Sequence, residues 1–348
     1  MKQKAGFFLA VMMGLLAIVF SLFQALPSAD QLLTGQRSDA ATTQAIVSDL
    51  GLDKPLPVQF LLYTNDLSPV SFYATDAEKT AHLTGFAIPL GSISLWVKLP
   101  YLRKSFVNQQ PVGSLLLEAL LGTAVLALSA MVLALILGVP MGVLAALRKG
   151  TWIDHALTAG SALGISVPSF FSAMVISWLF GFVYSHQTGL SMTGSLYELD
   201  SLGETLHLRL DHLILPSLAL GIRPLAVFVQ LTRNTLVEVL AQDYIRLARA
   251  KGLRESQVIW KHALPNALNP LVTSIGGWFS SLLAGSFFTE YIFQWKGLGK
   301  VSIDALQQSD LPVIMGAVLF TACVFFLMHS LTERLYVWMD PRLRGNQR

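Results

Sequence analysis

Six long apolar runs constrain this chain more than any other feature. They cover about residues 5–26, 119–147, 156–184, 213–231, 271–293 and 313–339. Roughly 20 apolar residues are enough for a helix to cross the ~30 Å hydrocarbon core of a bilayer. Inside lipid every backbone N–H and C=O must be satisfied within the segment, so each run is expected to be helical. Composition agrees. The 348 residues are 53% hydrophobic and 13% charged, whereas a soluble domain carries about 25% charged residues. The expected fold class is an all-α polytopic membrane protein with six transmembrane helices. Pro140 and Pro168 interrupt the second and third runs. Neighbouring helices absorb a lost hydrogen bond in such spans, so kinks rather than breaks are expected.

The first run follows Lys2 and Lys4, the layout of a signal peptide. It is longer than the usual apolar core of one, and Gln24-Ala25-Leu26-Pro27 is a poor cleavage site. An uncleaved anchor over 1–26 is expected. The single cysteine, Cys323, lies in the sixth run and excludes an intrachain disulfide or a cysteine metal site.

Lysine and arginine in short loops set orientation. With the N-terminus inside, the cytoplasmic set is Lys2, Lys4, Arg148, Lys149, Arg233, Arg246, Arg249, Lys251, Arg254, Lys261, Arg342, Arg344 and Arg348. The short outer loops then hold only Arg209, Lys296 and Lys300. Segment 27–116 carries six more, but loops above about 60 residues translocate largely regardless of charge. Both termini are therefore expected in the cytoplasm. The organisation that follows is an anchor (1–26), a large extracytoplasmic region (27–116), a five-helix core (117–339) with an inner loop at 236–270, and a short cytoplasmic tail (340–348).

In the outer region, 49–60 reads as a short helix, a glycine stop at Gly51 and a turn stiffened by Pro55 and Pro57. Residues 63–100 alternate apolar and turn-prone types, the pattern of strands or of irregular loop. A surface for docking a receptor and a tolerated insertion are both open readings.

The inner loop is more specific. Ile245, Ala248 and Gly252 recur at spacings of three and four, so they share a helical face. That face is small enough for another protein to approach the backbone, and Arg246, Arg249 and Lys251 flank it. Gly252 fits the left-handed position that ends a helix. Residues 257–263 read as a second short helix closed by Leu264-Pro265. Two short helices at a sharp angle make a rigid knob for docking; a basic loop that only fixes topology is the plainer alternative.

No nucleotide chemistry is visible. The chain lacks a G-x-x-x-x-G-K-[ST] phosphate loop. Its histidines show no metal spacing, with His82, His186, His207 and His212 scattered over outer segments. Neighbouring His329 and Ser330 point about 100° apart on a helix, so they do not form a catalytic pair. No catalytic residue, metal ligand or cofactor site is expected, and nothing points to nucleic acid.

Two charges fall inside the runs. A central arginine costs about 2.5–3.5 kcal/mol, while each Leu, Ile, Phe or Val returns about 0.3–0.6. The eleven such residues in 213–231 return roughly 3–7 kcal/mol, so the fourth helix inserts with Arg223 facing the bundle or water. Arg223 either lines a path, where it meets an anionic group, or pairs structurally with Glu290 or a helix carbonyl. Glu290, near the outer end of the fifth run, is a gate contact or a structural partner. Glu118 and Glu333 read as interfacial.

Several stretches together carry a resemblance. Gly252 and, after an interval, His262-Ala263-Leu264-Pro265 stand where the EAA loop of permease subunits in binding-protein-dependent ABC importers has its glycine and its Ile-x-Leu-Pro. Arg246-Leu247-Ala248 replaces the EAA triplet, and His262 replaces the isoleucine. YIRLARAKGL…HALPNAL is similar to the dipeptide, oligopeptide and nickel branch. LGLDKPLPVQF, the segment from Leu120 to Asp154, LTRNTLVEVLAQDY, TEYIFQWKGLGK and RLYVWMDPRLR are similar to it as well. The similarity covers about 1–62 and 101–344, leaving 63–100 without a counterpart.

The resemblance implies a type I importer permease fold. It implies a translocation path shared with a second, distinct permease subunit, two ABC ATPase subunits at the cytoplasmic face, and an extracytoplasmic solute-binding protein, all at a bacterial inner membrane. It implies that Tyr244, Arg246, Ala248, Arg249, Lys251, Gly252, His262, Leu264 and Pro265 form the ATPase-coupling interface, with Ala248 and Gly252 as the close-contact face. Di- or oligopeptides are the first expectation for the solute, ahead of nickel or another small solute. An ion-coupled secondary transporter is the runner-up. That class often shows inverted repeats and unwound helices at the midplane, and no repeat is visible here.

Overall fold

The computed structural model describes residues 2–24, 53–74, 85–91, 93–199 and 205–339. The stretch 49–52, His82 and the 340–348 tail with Arg342, Arg344 and Arg348 lie outside the described residues. The chain divides into two compact units, Met1–Glu118 with Asp304–Ala322, and Ala119–Ile303 with Cys323–Arg348.

In the first unit, α1 (Lys2–Gln24) is followed by α2 (Leu56–Leu67). The proline-stiffened turn is in fact a helix start. Pro55 caps α2 and Pro57 lies in its first turn, where proline's missing N–H is unpaired anyway and its φ suits the helix. Leu16, Tyr63, Met315 and Leu319 form a common buried cluster, and Phe20 meets Phe60 edge-on at 5.3 Å.

The 63–100 segment contains the end of α2 and three strands, β1 (Val70–Ala74), β2 (Gly85–Leu90) and β3 (Ile93–Lys98), in the antiparallel order β1-β3-β2. In β1 and β3 the alternation is inverted, and β2 is exposed at every position. Phe72, Phe86, Ile88, Leu90, Ile93 and Val97 are exposed, while Ser71, Ser94 and Lys98 are buried. The buried polar side is held by α2. Asn65 exchanges two hydrogen bonds with the Phe72 backbone, at 2.9 and 3.0 Å. The Asp66 carboxylate accepts from Arg103 at 3.0 Å and from the Tyr73 hydroxyl at 2.9 Å, and its carbonyl accepts from Lys98 Nζ. The Arg103 guanidinium also stacks 5.0 Å from the Tyr63 ring. Burial, and after it the Asp66 charge, raises the Tyr73 phenol well above its ordinary range.

α3 (Val112–Leu147) continues into the second unit and stays helical through Pro140. The third apolar run does not. α4 (Trp152–Ser166) and α5 (Ser169–Trp178), which runs on through a π-turn at Leu179–Val183, meet at 108°. The expected kink at Pro168 is a break. Val167 is extended at φ −74°, ψ 131°, as proline requires of the residue before it. A two-stranded ribbon, β4 (Tyr197–Leu199) with β5 (Leu206–Leu208), precedes α6 (Asp211–Leu240). α6 stays helical through Pro216 and Pro224. The fifth run is also split, into α8 (Asn269–Gly285) and α9 (Phe287–Ile292), with α7 (Asp243–Ala250) preceding them in the inner loop. α10 (Leu298–Gln307) and α11 (Leu311–Met339) complete the chain.

Small residues set the helix spacing. A Cβ on Gly142 of α3 would lie 2.7 Å from Thr232 of α6, and one on Gly276 of α8 would overlap Thr332 of α11. In membranes such close backbone approach replaces the missing hydrophobic drive between helices. The core of this unit is Leu126, Ala130, Ala134, Leu220, Phe228 and Trp295 with their neighbours.

Candidate coupling surface and membrane-path residues

The inner loop folds as two arms. α7 opens after extended Gln242, and Asp243 in its first turn and Arg249 in its last suit the helix dipole. It ends at Gly252, whose φ of +78° is open to glycine at little cost. A Cβ there would meet nothing within 4 Å, so Gly252 is needed for its backbone angle alone. In the second arm, the Gln257 side chain returns to the Arg254 N–H at 3.3 Å. The arm continues as Glu255–Gln257, a wide π-turn at Val258–Ala263 and a helical turn at Leu264–Ala267.

The knob is packed from within. Ile245 and Ala248 are buried beside Val258, Ala263, Leu264 and Ala267, and the same cluster includes Val143 and Ala146 of α3 and Leu236 of α6. Thr235 of α6 donates to the Ala267 carbonyl at 2.8 Å. At the foot of the spans, buried Asp154 accepts from Nε and Nη2 of Arg233, at 3.0 and 2.8 Å, and from the Gly150 N–H at 2.9 Å.

This arrangement corrects the expectations for Ala248 and for Leu264-Pro265, and it gives Arg249 and His262 partners within the chain. Ala248 is only 7% exposed and faces the subunit's own core, so it is not an outward contact. Shared spacing shows that residues lie on one face, not which way that face turns. Arg249 is bound within the chain, its Nε and Nη2 meeting the Glu255 carboxylate at 3.1 and 2.6 Å. That pairing holds the Glu255 carboxyl below its ordinary range. Leu264 is buried, and Pro265 starts a helical turn rather than closing the arm. His262 is half-buried, and its carbonyl accepts from Asn266 at 2.8 Å.

The outward face belongs to other residues. Tyr244, Leu247 (57% exposed) and Trp260 (64% exposed) are open on the two arms, as are Arg246, Lys251 and Lys261. Leu247, Trp260 and the brace Glu255 are absent from the sequence-derived set. The signal for the first two is an apolar side chain in a charged loop, phased away from Ile245 and Ala248.

Arg223 and Glu290 do not meet. Glu290 is fully buried. Ser286 Oγ donates to its Oε1 at 2.6 Å, and the Gly299 N–H donates to its Oε2 at 2.7 Å. The stretch 286–299 closes around this carboxylate. The Trp295 indole donates to the Gly122 carbonyl at 2.9 Å and the Leu298 N–H to Thr123 Oγ1 at 2.8 Å. Gly297 has no room for a side chain beside the Glu290 carboxyl. Arg223 is exposed on α6 and has no hydrogen-bond or ionic partner among the described residues.

Helical spans packed through glycines, with breaks in the third and fifth runs and a two-armed knob fixed to their ends, define the membrane subunit of a transporter with a type I permease fold. The fold is shared with the MetNI methionine ABC transporter in inward-facing crystal forms, over 66% of this chain and 97% of that chain, at a TM-score of 0.51 and 19% identity. The chain belongs to the family of binding-protein-dependent transport system inner membrane components, whose model matches 138–345 and whose N-terminal companion matches 2–127.

The dipeptide transport system permease protein DppB of Escherichia coli K12 is 32% identical over 98% of this chain and 97% of its own length. DppB of Alkalihalophilus pseudofirmus is 31% identical over 96% of each chain. The glutathione transport system permease protein GsiC of Pectobacterium atrosepticum is 33% identical over 94% of this chain and 93% of its own. The bounds of the N-terminal match extend across 63–100. The protein is thus an inner-membrane permease that works with a solute-binding protein and an ATPase carried on a separate chain.

Proposed function

We propose that this permease passes di- or oligopeptides. The support is that relatives aligned over nearly the whole chain are named for dipeptide and glutathione transport. In this reading both termini and the 236–270 loop are cytoplasmic, in accord with the distribution of lysine and arginine. The knob docks on one of two ATPase subunits, the 27–116 region meets the solute-binding protein, and a second, distinct permease completes the path.

The observation that carries the docking reading is the two-sided knob. Its inner side is locked to α3 and α6 through Ile245, Ala248, Val258 and Leu264. Its outer side presents Tyr244, Leu247 and Trp260 among cations. Aromatic and apolar anchors with a polar rim are the composition of a docking interface. A partner that grips the outer side moves the inner side as one body, so closure of the ATPase pair shifts the spans between inward-open and outward-open states.

The test is purification and reconstitution of the complex. An ATPase chain should co-purify, and Trp260→Asp should release it while the permease stays in the membrane. Peptide uptake by this chain alone, driven by an ion gradient without ATP, would overturn the reading.

A further inference from the structure

α6 is enclosed on three sides. Gly138 and Gly142 of α3 abut Leu225, Phe228 and Thr232 at its back, and Gly164 of α4 abuts Ile222 and Ala226 on one flank. On the opposite flank, Leu220 joins Leu271, Leu282 and Leu283 of α8 in the core. At about 100° per residue these contacts leave one side of the helix uncovered from Arg223 onward, whereas Ala219, one turn earlier on that side, is buried in a cluster with Ala173 and Ile176 of α5. That side carries Arg223, Gln230 and Asn234, at i, i+7 and i+11, where helical phase nearly repeats.

Arg223 and Asn234 are exposed and Gln230 is half-buried. Neither Arg223 nor Gln230 has a polar partner among the described residues, whereas Asn234 accepts from Arg233 at 3.1 Å. The helix is long and apolar enough to span a membrane. A polar row on the one uncovered side of such a helix faces water or another polar surface, because lipid cannot satisfy it.

We propose that this row lines the translocation path and that Arg223 is a specificity-determining residue that receives a carboxylate of the passing solute. The guanidinium is permanently charged and its fork matches a carboxylate bidentately. The substrate chemistry rests on the peptide reading above; the position of the row in the path does not. Gln230 and Asn234 offer neutral hydrogen bonds farther along the same side, so the solute meets one strong site followed by weaker ones and is not held fast.

The experiment uses the complete transporter in proteoliposomes, with Cys323→Ser as background. Gln230→Cys should react with water-borne methanethiosulfonates, and Phe228→Cys, facing α3, should not. The anionic reagent should be favoured over the cationic one at Gln230→Cys, and Arg223→Gln should reduce that preference by about three-fold or more. Dipeptide uptake should fall about ten-fold or more in Arg223→Gln, the loss of one charged hydrogen-bond partner, and by less in Arg223→Lys, which keeps the charge but not the fork.

An unreactive Gln230→Cys, or a charge preference independent of Arg223, overturns the path assignment. Full dipeptide uptake in Arg223→Gln overturns carboxylate recognition. Loss of the second permease from the purified Arg223→Gln complex overturns both, because Arg223 is then an assembly contact. A wild-type transporter that carries neither dipeptides nor longer peptides refutes the peptide reading and with it the carboxylate role, while the thiol arm still decides the path.

Discussion

The knob (243–267) and the α/β element of the first unit (56–103) each contain one arginine–carboxylate pair, and the pairs do opposite work. Arg249 and Glu255 brace the two arms of the knob in the open, with side chains 42% and 57% exposed. Arg103 and Asp66 are 13% and 17% exposed, and Asp66 also gathers Tyr73 and Lys98. The knob is fixed by its apolar inner side, and its outer side carries both charge and apolar anchors. The α/β element is fixed by a polar hub, and its apolar strand face is turned outward. An exposed pair adds little because water and salt screen it. A half-enclosed pair with further hydrogen bonds is costly to break, because the remaining charge is left uncompensated.

The largest contrast comes from removing the hub. Asp66→Ala should destabilise the α/β element by about 3 kcal/mol, read as faster hydrogen exchange over 56–103 with the knob unaffected. Protection within about 1 kcal/mol of wild type would dissolve the contrast. Next is Gly252→Trp, which places a bulky residue at φ +78° at a cost of about 1–2 kcal/mol. It should let ATP hydrolysis proceed with little uptake while insertion is normal; coupled transport at the wild-type rate would count against the fixed arm angle.

The smallest effect belongs to Glu255→Ala, about 0.5 kcal/mol or less at neutral pH and less again in high salt. Its sign follows from the depressed carboxyl. The contribution is present above the unfolded carboxylate pKa and is lost as pH falls through the folded one. Thermal melts of wild type and Glu255→Ala should therefore converge in acid. A gap that widens there would reverse the assignment.

The membrane core was legible because an apolar run of span length has few other places to go. Where spans break was not. Pro140, Pro216 and Pro224 stay inside helices and Pro168 does not, although each removes the same hydrogen bond. Around Pro140 the span is backed by α6 at Gly138 and Gly142, but the helices flanking Pro168 also pack on α6, so the sequence around a proline does not announce which outcome follows. The knob's turn was legible at Gly252, because few residues other than glycine end a helix at positive φ.

Its polarity was not legible at Ala248, since a small residue suits tight packing inward and close approach outward equally. β1 and β3 alternate as strands do, yet their apolar side is the exposed one. The polar side is claimed by Asn65 and Asp66, several residues before the first strand, and no period within the strands reveals that. Glu290 stood out as a charge in an apolar run. Its role in closing 286–299 depends on Gly297 and Gly299, whose lack of side chains matters only once the loop is folded.

The central claim is that the knob meets its ATPase through the side bearing Leu247 and Trp260, with Ala248 turned inward. Photo-crosslinking in the assembled transporter tests it most directly, with benzoylphenylalanine placed in turn at Leu247, Trp260 and Ala248. Crosslinks to the ATPase chain from Leu247 and Trp260, and none from Ala248, are the expected result. A crosslink from Ala248 with none from Leu247 or Trp260 would contradict it.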